Sequence, residues 1–179
     1  MNPSPPWTRF EDIVYRAHHP RWAQSPLSAA GAERYGGRFN RPGMAALYTS
    51  LDVKTAWLEA QQGFPFKAQP MTLVAYRVAC ERVLDLTDLS VQQKTGCSAA
   101  VLACPWEDLA SRQQIPPSWK LAEQLIQKGA TGALVPSFAP GCGGAQINLV
   151  LWQWSAPAPC RVQPIDDRHL LPQNDRSWQ

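Results

Sequence analysis

Apolar and polar positions along the chain fall mostly into short extended runs, with only three stretches of helical spacing. Ile13-Val-Tyr-Arg16-Ala predicts a strand that stops near His18-His19-Pro20, and Ala45-Ala-Leu-Tyr48 predicts a short buried one. Met71 to Cys80 is rich in β-branched and aromatic residues and is the clearest strand; Arg82 to Asp88 continues it or starts a neighbour. Gly132 to Pro136 and Ile147 to Trp154 predict two more buried strands, and Val162 to Ile165 a last one. Val53, Ala56, Trp57 and Ala60 follow the i, i+3, i+4, i+7 pattern of a helix with Ser50 as its N-cap, and Glu59 falls at the edge of that face beside Thr55. A second helix, Trp119 to Lys128, carries Trp119, Ala122, Leu125 and Ile126 on one face, with Ser118 as cap and Gly129 at the C′ position. A third, short helix is expected at Trp106 to Arg112. Arg21 to Ala32 reads as loop, residues 1–8 as a proline-rich lead-in, Pro65 to Pro70 as a break, and Ser90 to Pro117 as a region of weak signal. Strands outnumber helices, which predicts an α+β fold with a mostly β core.

At 179 residues the chain is expected to form one domain, with a core of about residues 12–165 between a flexible lead-in and a polar tail from Gln173. A hydrophobic fraction of 45% against 17% charged residues argues against disorder. Net charge is a mild +3 without a dense Lys/Arg run, so charge does not point to direct nucleic-acid binding. Five scattered cysteines with no C-x-x-C pair predict reduced cytosolic thiols and no zinc site. Adjacent histidines His18 and His19 point to opposite faces of an extended chain and make a poor metal grip. With no secretory leader and no long apolar run, a cytoplasmic protein without membrane attachment is expected.

The chemistry concentrates between Tyr35 and Glu59. Gly36, Gly37, Pro42 and Gly43 demand tight turns or close approach, and Arg34, Arg38 and Arg41 place cations on the same loop. Taken alone, this reads most simply as a basic surface turn followed by a helix with one solvated glutamate. No phosphate loop, dinucleotide fingerprint, zincin motif or G-x-S-x-G elbow is present. One carboxylate with arginines, tyrosines and a serine near turns suits the holding of phosphate and ribose and the stabilisation of an oxocarbenium-like centre.

The ordered set of motifs resembles the RES-domain family of bacterial toxins. It comprises Tyr15-Arg16, Gly36-Gly-Arg-Phe-Asn40 with Gly43, Ala46-Leu-Tyr-Thr49, Ala56-Trp-Leu-Glu59, Arg82-Val-Leu-Asp-Leu86, Leu134-Val-Pro-Ser137 and Asn148-Leu-Val-Leu-Trp152. Phe39 stands where the family usually has Trp, and residues 90–117 look like an insertion. The resemblance implies a split, mostly β fold similar to ADP-ribosyltransferases, with NAD as substrate and no metal. It implies Arg16, Glu59 and Ser137 as catalytic residues. Arg16 would hold the pyrophosphate or its ribose, Arg38 a second phosphate, and Tyr48 would stack on nicotinamide. Ser137 and Asn148 would line the pocket, and Glu59 would engage the nicotinamide ribose. Tyr48 as a core aromatic, Ser137 as a turn cap and Asn148 as a loop tether are the structural alternatives. The implied activity is NAD cleavage by water or phosphate; protein ADP-ribosylation and a non-catalytic nucleotide-binding module are the competing activities. The implied partner is an Xre-like helix-turn-helix antitoxin, which is also the only link to nucleic acid. A cleft made cationic by Arg16, Arg38 and Arg41 would suit an acidic antitoxin segment.

Overall fold

The computed structural model describes residues 5–61, 70–155 and 157–176. The expectations for residues 1–4, for most of the Pro65 to Pro70 break and for the end of the tail lie outside them. Six strands, β1 (Thr8–His18), β2 (Leu47–Ser50), β3 (Thr72–Asp85), β4 (Gly132–Pro136), β5 (Ile147–Leu151) and β6 (Cys160–Pro164), pair in the order β1-β2-β5-β4-β3-β6. β1 also pairs antiparallel with β3, from Thr8 opposite Val83 to His18 opposite Thr72. That pairing closes the sheet into a barrel, so the expected split sheet is corrected. All its strands are antiparallel to their neighbours except β4, which runs parallel to β3.

Alternation across each strand gives the barrel two different faces. Val14, Leu47, Val74, Tyr76, Leu134, Leu149 and Leu151 come from all the barrel strands and pack into one enclosed cluster. Ala133, Val135 and Val150 point the other way and meet Leu102, Leu121, Ala122 and Leu125 of the helical layer. That layer holds α3 (Leu89–Thr95), α4 (Ala99–Leu102), α5 (Trp106–Ser111) and α6 (Pro117–Gln127). The weak region is therefore three short helices covering the outer face of β4 and β5.

β3 is one strand where the sequence left one or two open. Its burial alternates up to Cys80, then Glu81 and Arg82 are both exposed and Val83 and Leu84 both buried. The register with β1 slips between Thr8 and Phe10, and Arg82 takes φ 57°, the signature of a bulge. The extra residue bends β3 where it leaves β6 and takes up β4.

Other expectations are corrected locally. Helix α1 (Ala30–Tyr35) and a 3-10 turn at Pro20–Trp22 occupy the predicted loop. With α1 the α-helices number six among the described residues, level with the strands. α6 starts at Pro117, which suits the first helical position, so Ser118 is inside the helix and accepts from Cys104 Sγ at 3.2 Å. Of its predicted face Ala122 and Leu125 are buried, and Ser118 and Leu121 join them in place of Trp119 and Ile126. Gly129 does take the left-handed φ of 95° after it. Cys80 and Cys160, opposed across β3 and β6, are joined as a disulfide, which corrects the expectation of reduced thiols for that pair; Cys97, Cys104 and Cys142 are free. Residues 80 apart become neighbours only through this pairing, so spacing could not show it. No helix among the described residues is long and apolar enough to cross a membrane.

Candidate active site

Helix α2 (Val53–Ala60) starts at Asp52, not Ser50: Asp52 Oδ1 accepts from Thr55 N at 2.9 Å and its Oδ2 from Thr55 Oγ1 at 2.6 Å. Burial works to raise the Asp52 carboxyl, but these bonds, with Lys54, together outweigh it and hold the group below its ordinary value. The helix packs on β1 through Thr55 and Ala56, leaving Val53 exposed on the face the sequence had assigned to burial. One turn beyond Thr55, Glu59 reaches the end of the sheet. Its Oε1 accepts from Ser137 Oγ at 2.5 Å and from Asn148 Nδ2 at 2.5 Å. Glu59 is therefore no solvated surface carboxylate.

The donors come from the outer row of the sheet. Ser50 of β2 lies opposite Asn148 of β5, and Asn148 opposite Val135 of β4. Ser137 stands two residues beyond Val135, on the same parity, and opens a loop that Ser137 N closes on Gln146 O at 2.8 Å. Ser137 Oγ also accepts from Ala139 N at 3.3 Å, so the turn-cap role and the contact to Glu59 coexist. Ser50 Oγ donates to Asn148 Oδ1 at 2.7 Å, extending the chain of bonds to Ser50–Asn148–Glu59–Ser137.

Tyr48, two residues before Ser50 on the same face, ties down the glycine loop. Its hydroxyl donates to Asn40 Oδ1 at 2.7 Å and accepts from Phe39 N at 2.9 Å. Burial pushes this phenol well above its ordinary value, keeping it neutral. Gly37 passes so close that an added Cβ would lie 2.6 Å from the Tyr48 hydroxyl, which is why this position takes glycine. Trp119 Nε1 donates to Gly37 O at 2.8 Å and Trp152 Nε1 to Phe39 O at 3.0 Å, anchoring the loop to α6 and the sheet.

The two arginines differ in their ties. Arg16 Nη1 donates to Pro26 O at 3.1 Å and Ser28 O at 2.9 Å, beside Tyr76, whose hydroxyl shares Pro26 O. Burial lowers the Arg16 pKa and pushes Tyr76 up to about 12. Arg38 Nη1 donates to Leu102 O at 3.3 Å and Cys104 O at 2.6 Å, and its guanidinium lies 4.5 Å from the Phe138 ring centre. Burial lowers its pKa too, opposed by Cys104 and then Glu59. Arg41 pairs on the surface with Glu123 at 3.0 Å, and Arg34 lies over the exposed Tyr35. Neither lines the cavity described next, which corrects the inclusion of Arg41 in a cationic cleft.

Glu59, Arg16, Arg38, Tyr48 and Asn148 line one open-mouthed cavity of about 330 Å³. Ser137 reaches it through its bond to Glu59. Trp106 and Phe138 form apolar walls that sequence reasoning missed, as it missed Ser50 and Tyr15. Trp106 comes from the unmapped helical region; Ser50 shared strand parity with Tyr48, a signal masked by its resemblance to a helix cap. Among the described residues no group of His, Cys, Asp and Glu is placed to hold a metal ion.

No curated protein matches the chain in sequence. A solved chain from the crystal structure of the M. tuberculosis MbcT-MbcA toxin-antitoxin complex superposes with a TM-score of 0.62 at 21% identity, over 89% of this chain and 86% of that one. At that identity the likeness is one of fold. The RES domain model matches residues 13–173, nearly the whole barrel with its helical layer. The chain belongs to the RES domain family.

Proposed function

We propose that this chain is the toxin of a toxin–antitoxin pair, and that it consumes NAD by breaking the bond between nicotinamide and ribose. The observation that carries this proposal is the Glu59 carboxylate, fixed by Ser137 and Asn148 in a cavity it shares with two guanidiniums. As the C–N bond breaks, its electron pair stays with nicotinamide, which leaves neutral. The positive charge of the pyridinium passes to the ribose as an oxocarbenium-like centre. A carboxylate already held in place stabilises that charge without reorganising at the moment of reaction. Arg16 and Arg38 supply cations for the pyrophosphate, and Tyr48, Trp106 and Phe138 supply flat apolar surface for rings. In this proposal the cleft beside the barrel plays the part of the NAD cleft of ADP-ribosyltransferases. An oxygen of water, which gives up a proton to solvent, or of phosphate then bonds to that ribose carbon and carries off ADP-ribose.

The structural likeness to a chain from a toxin-antitoxin complex supports a protein antitoxin as partner. We propose an Xre-like helix-turn-helix protein in that role, through which alone the pair would meet DNA.

Incubation of the purified chain with NAD, with and without phosphate, tests the reaction. Free nicotinamide without labelled protein is the expected result, and acceleration by phosphate names the acceptor. Transfer of label to protein would mark an ADP-ribosyltransferase instead. Unchanged NAD with measurable binding would mark a non-catalytic module and overturn the proposal.

A further inference from the structure

Asn148 serves two neighbours with an amide that fits them only one way round. Its Nδ2 donates to Glu59 Oε1, and its Oδ1 accepts from Ser50 Oγ. Turned by 180°, the amide would set an acceptor oxygen against the carboxylate. Ser50 is 2% exposed and Asn148 8%, so both are nearly enclosed where they border the cavity. Ser50 is also the last residue of β2, two positions before Asp52, which caps the helix carrying Glu59. One short segment thus holds the carboxylate from two directions, through the start of its helix and through the amide beside it.

We propose that Ser50 is a positioning residue for Glu59, acting through Asn148. The carboxylate, which can only accept, sets which end of the amide faces it, and the Ser50 hydroxyl anchors the other end so that the N–H group stays within reach. Ser50 itself touches no reacting atom and keeps its proton throughout. The proposal deepens the NAD-cleavage proposal and rests on it for the kinetic consequence, but the geometry it asserts can be read without turnover. Sequence inspection treats Ser50 as a helix cap, and that cap role belongs to Asp52. What remains for this buried hydroxyl is its bond to Asn148.

Two measurements test it on the full chain. Nitrogen–proton spectra report the Asn148 side-chain amide directly, its signals being those that vanish in Asn148→Ala. In the wild type these protons should exchange slowly with solvent. Ser50→Ala should speed that exchange about tenfold or more, and Ser50→Thr, which keeps the hydroxyl, should not. Ser50→Cys, similar in size but a weak donor, serves if the alanine variant does not fold, and should behave as alanine. Unchanged exchange in Ser50→Ala or Ser50→Cys overturns the proposal.

In NAD turnover, Ser50→Ala should lower kcat about tenfold with KM within about twofold, and Ser50→Thr should restore kcat. In an Asn148→Ala background the same change should add less than about twofold, because its route is already cut. Full additivity would show that Ser50 acts elsewhere and would also overturn the proposal. A wild type that leaves NAD intact removes the assigned reaction; the exchange measurement then decides the role of Ser50 alone.

Discussion

β5 presents two surfaces that share one backbone and have opposite fates. Leu149 and Leu151 point into the barrel among Leu47, Val14 and Tyr76, a surface with no role but to be dry and filled. Asn148 and Val150 point outward, where Asn148 meets Glu59 and Ser50 and both residues line the cavity. A slip of one residue in the pairing of β5 would bury the amide and expose the leucines. The apolar side therefore fixes the register, and the register delivers the polar side. Stability and chemistry are separable here because the pleat assigns them to alternate residues.

The strongest way to break that separation is to damage one face and measure the other. Leu149→Ala should destabilise the fold by about 2–5 kcal/mol through the lost apolar surface and the cavity left behind, while the folded fraction still turns over NAD. Asn148→Ala should do the reverse, lowering turnover far more than melting temperature. Thermal melts and rates normalised to folded protein check both. Equal loss of activity per folded molecule in the two variants would mean that the faces are not independent.

A smaller effect sharpens where the dry face ends. His18, the last residue of β1, is nearly buried opposite Thr72, and its Nε2 makes no hydrogen bond. Burial, and then the nearby Arg16 charge, hold its pKa below the ordinary 6.5, against the opposing bond to His19 O. The unfolded chain thus takes up this proton before the folded one does. Stability should be unaffected above about pH 6.5 and should fall as pH drops below it. His18→Asn should flatten that acid slope in a series of melts; an identical slope would assign the acid sensitivity to other groups.

The sequence carried the strand segments well because β-branched runs and the glycine punctuation mark them directly. It also placed Arg16, Glu59, Ser137 and Asn148 on a list through the order of their motifs, but their proximity was a different matter. Ser137 and Asn148 lie 78 and 89 residues from Glu59, and only the pairing of β2, β5 and β4 brings them together. Closure of the barrel was hidden because it depends on β1 reaching β3, a contact between strands separated by the whole glycine loop and α2. The bulge at Arg82 flips the buried parity midway through β3, so no single alternation describes that strand. Ser50 and Asp52 are both good capping residues, and propensity could not choose between them. The six-residue α1, read as loop, is too short for a periodic signal, whereas the equally short α5 is found within one residue of the helix expected at Trp106 to Arg112.

The central claim is that the carboxylate held on the outer face of β5 is the group that drives NAD cleavage. Glu59→Gln tests it most directly, since the amide matches the acid in size and removes only the charge. The account predicts a variant that melts like the wild type and releases nicotinamide more than about a hundredfold more slowly, a loss near 3 kcal/mol of barrier stabilisation. A folded Glu59→Gln protein that consumes NAD at the wild-type rate would contradict it.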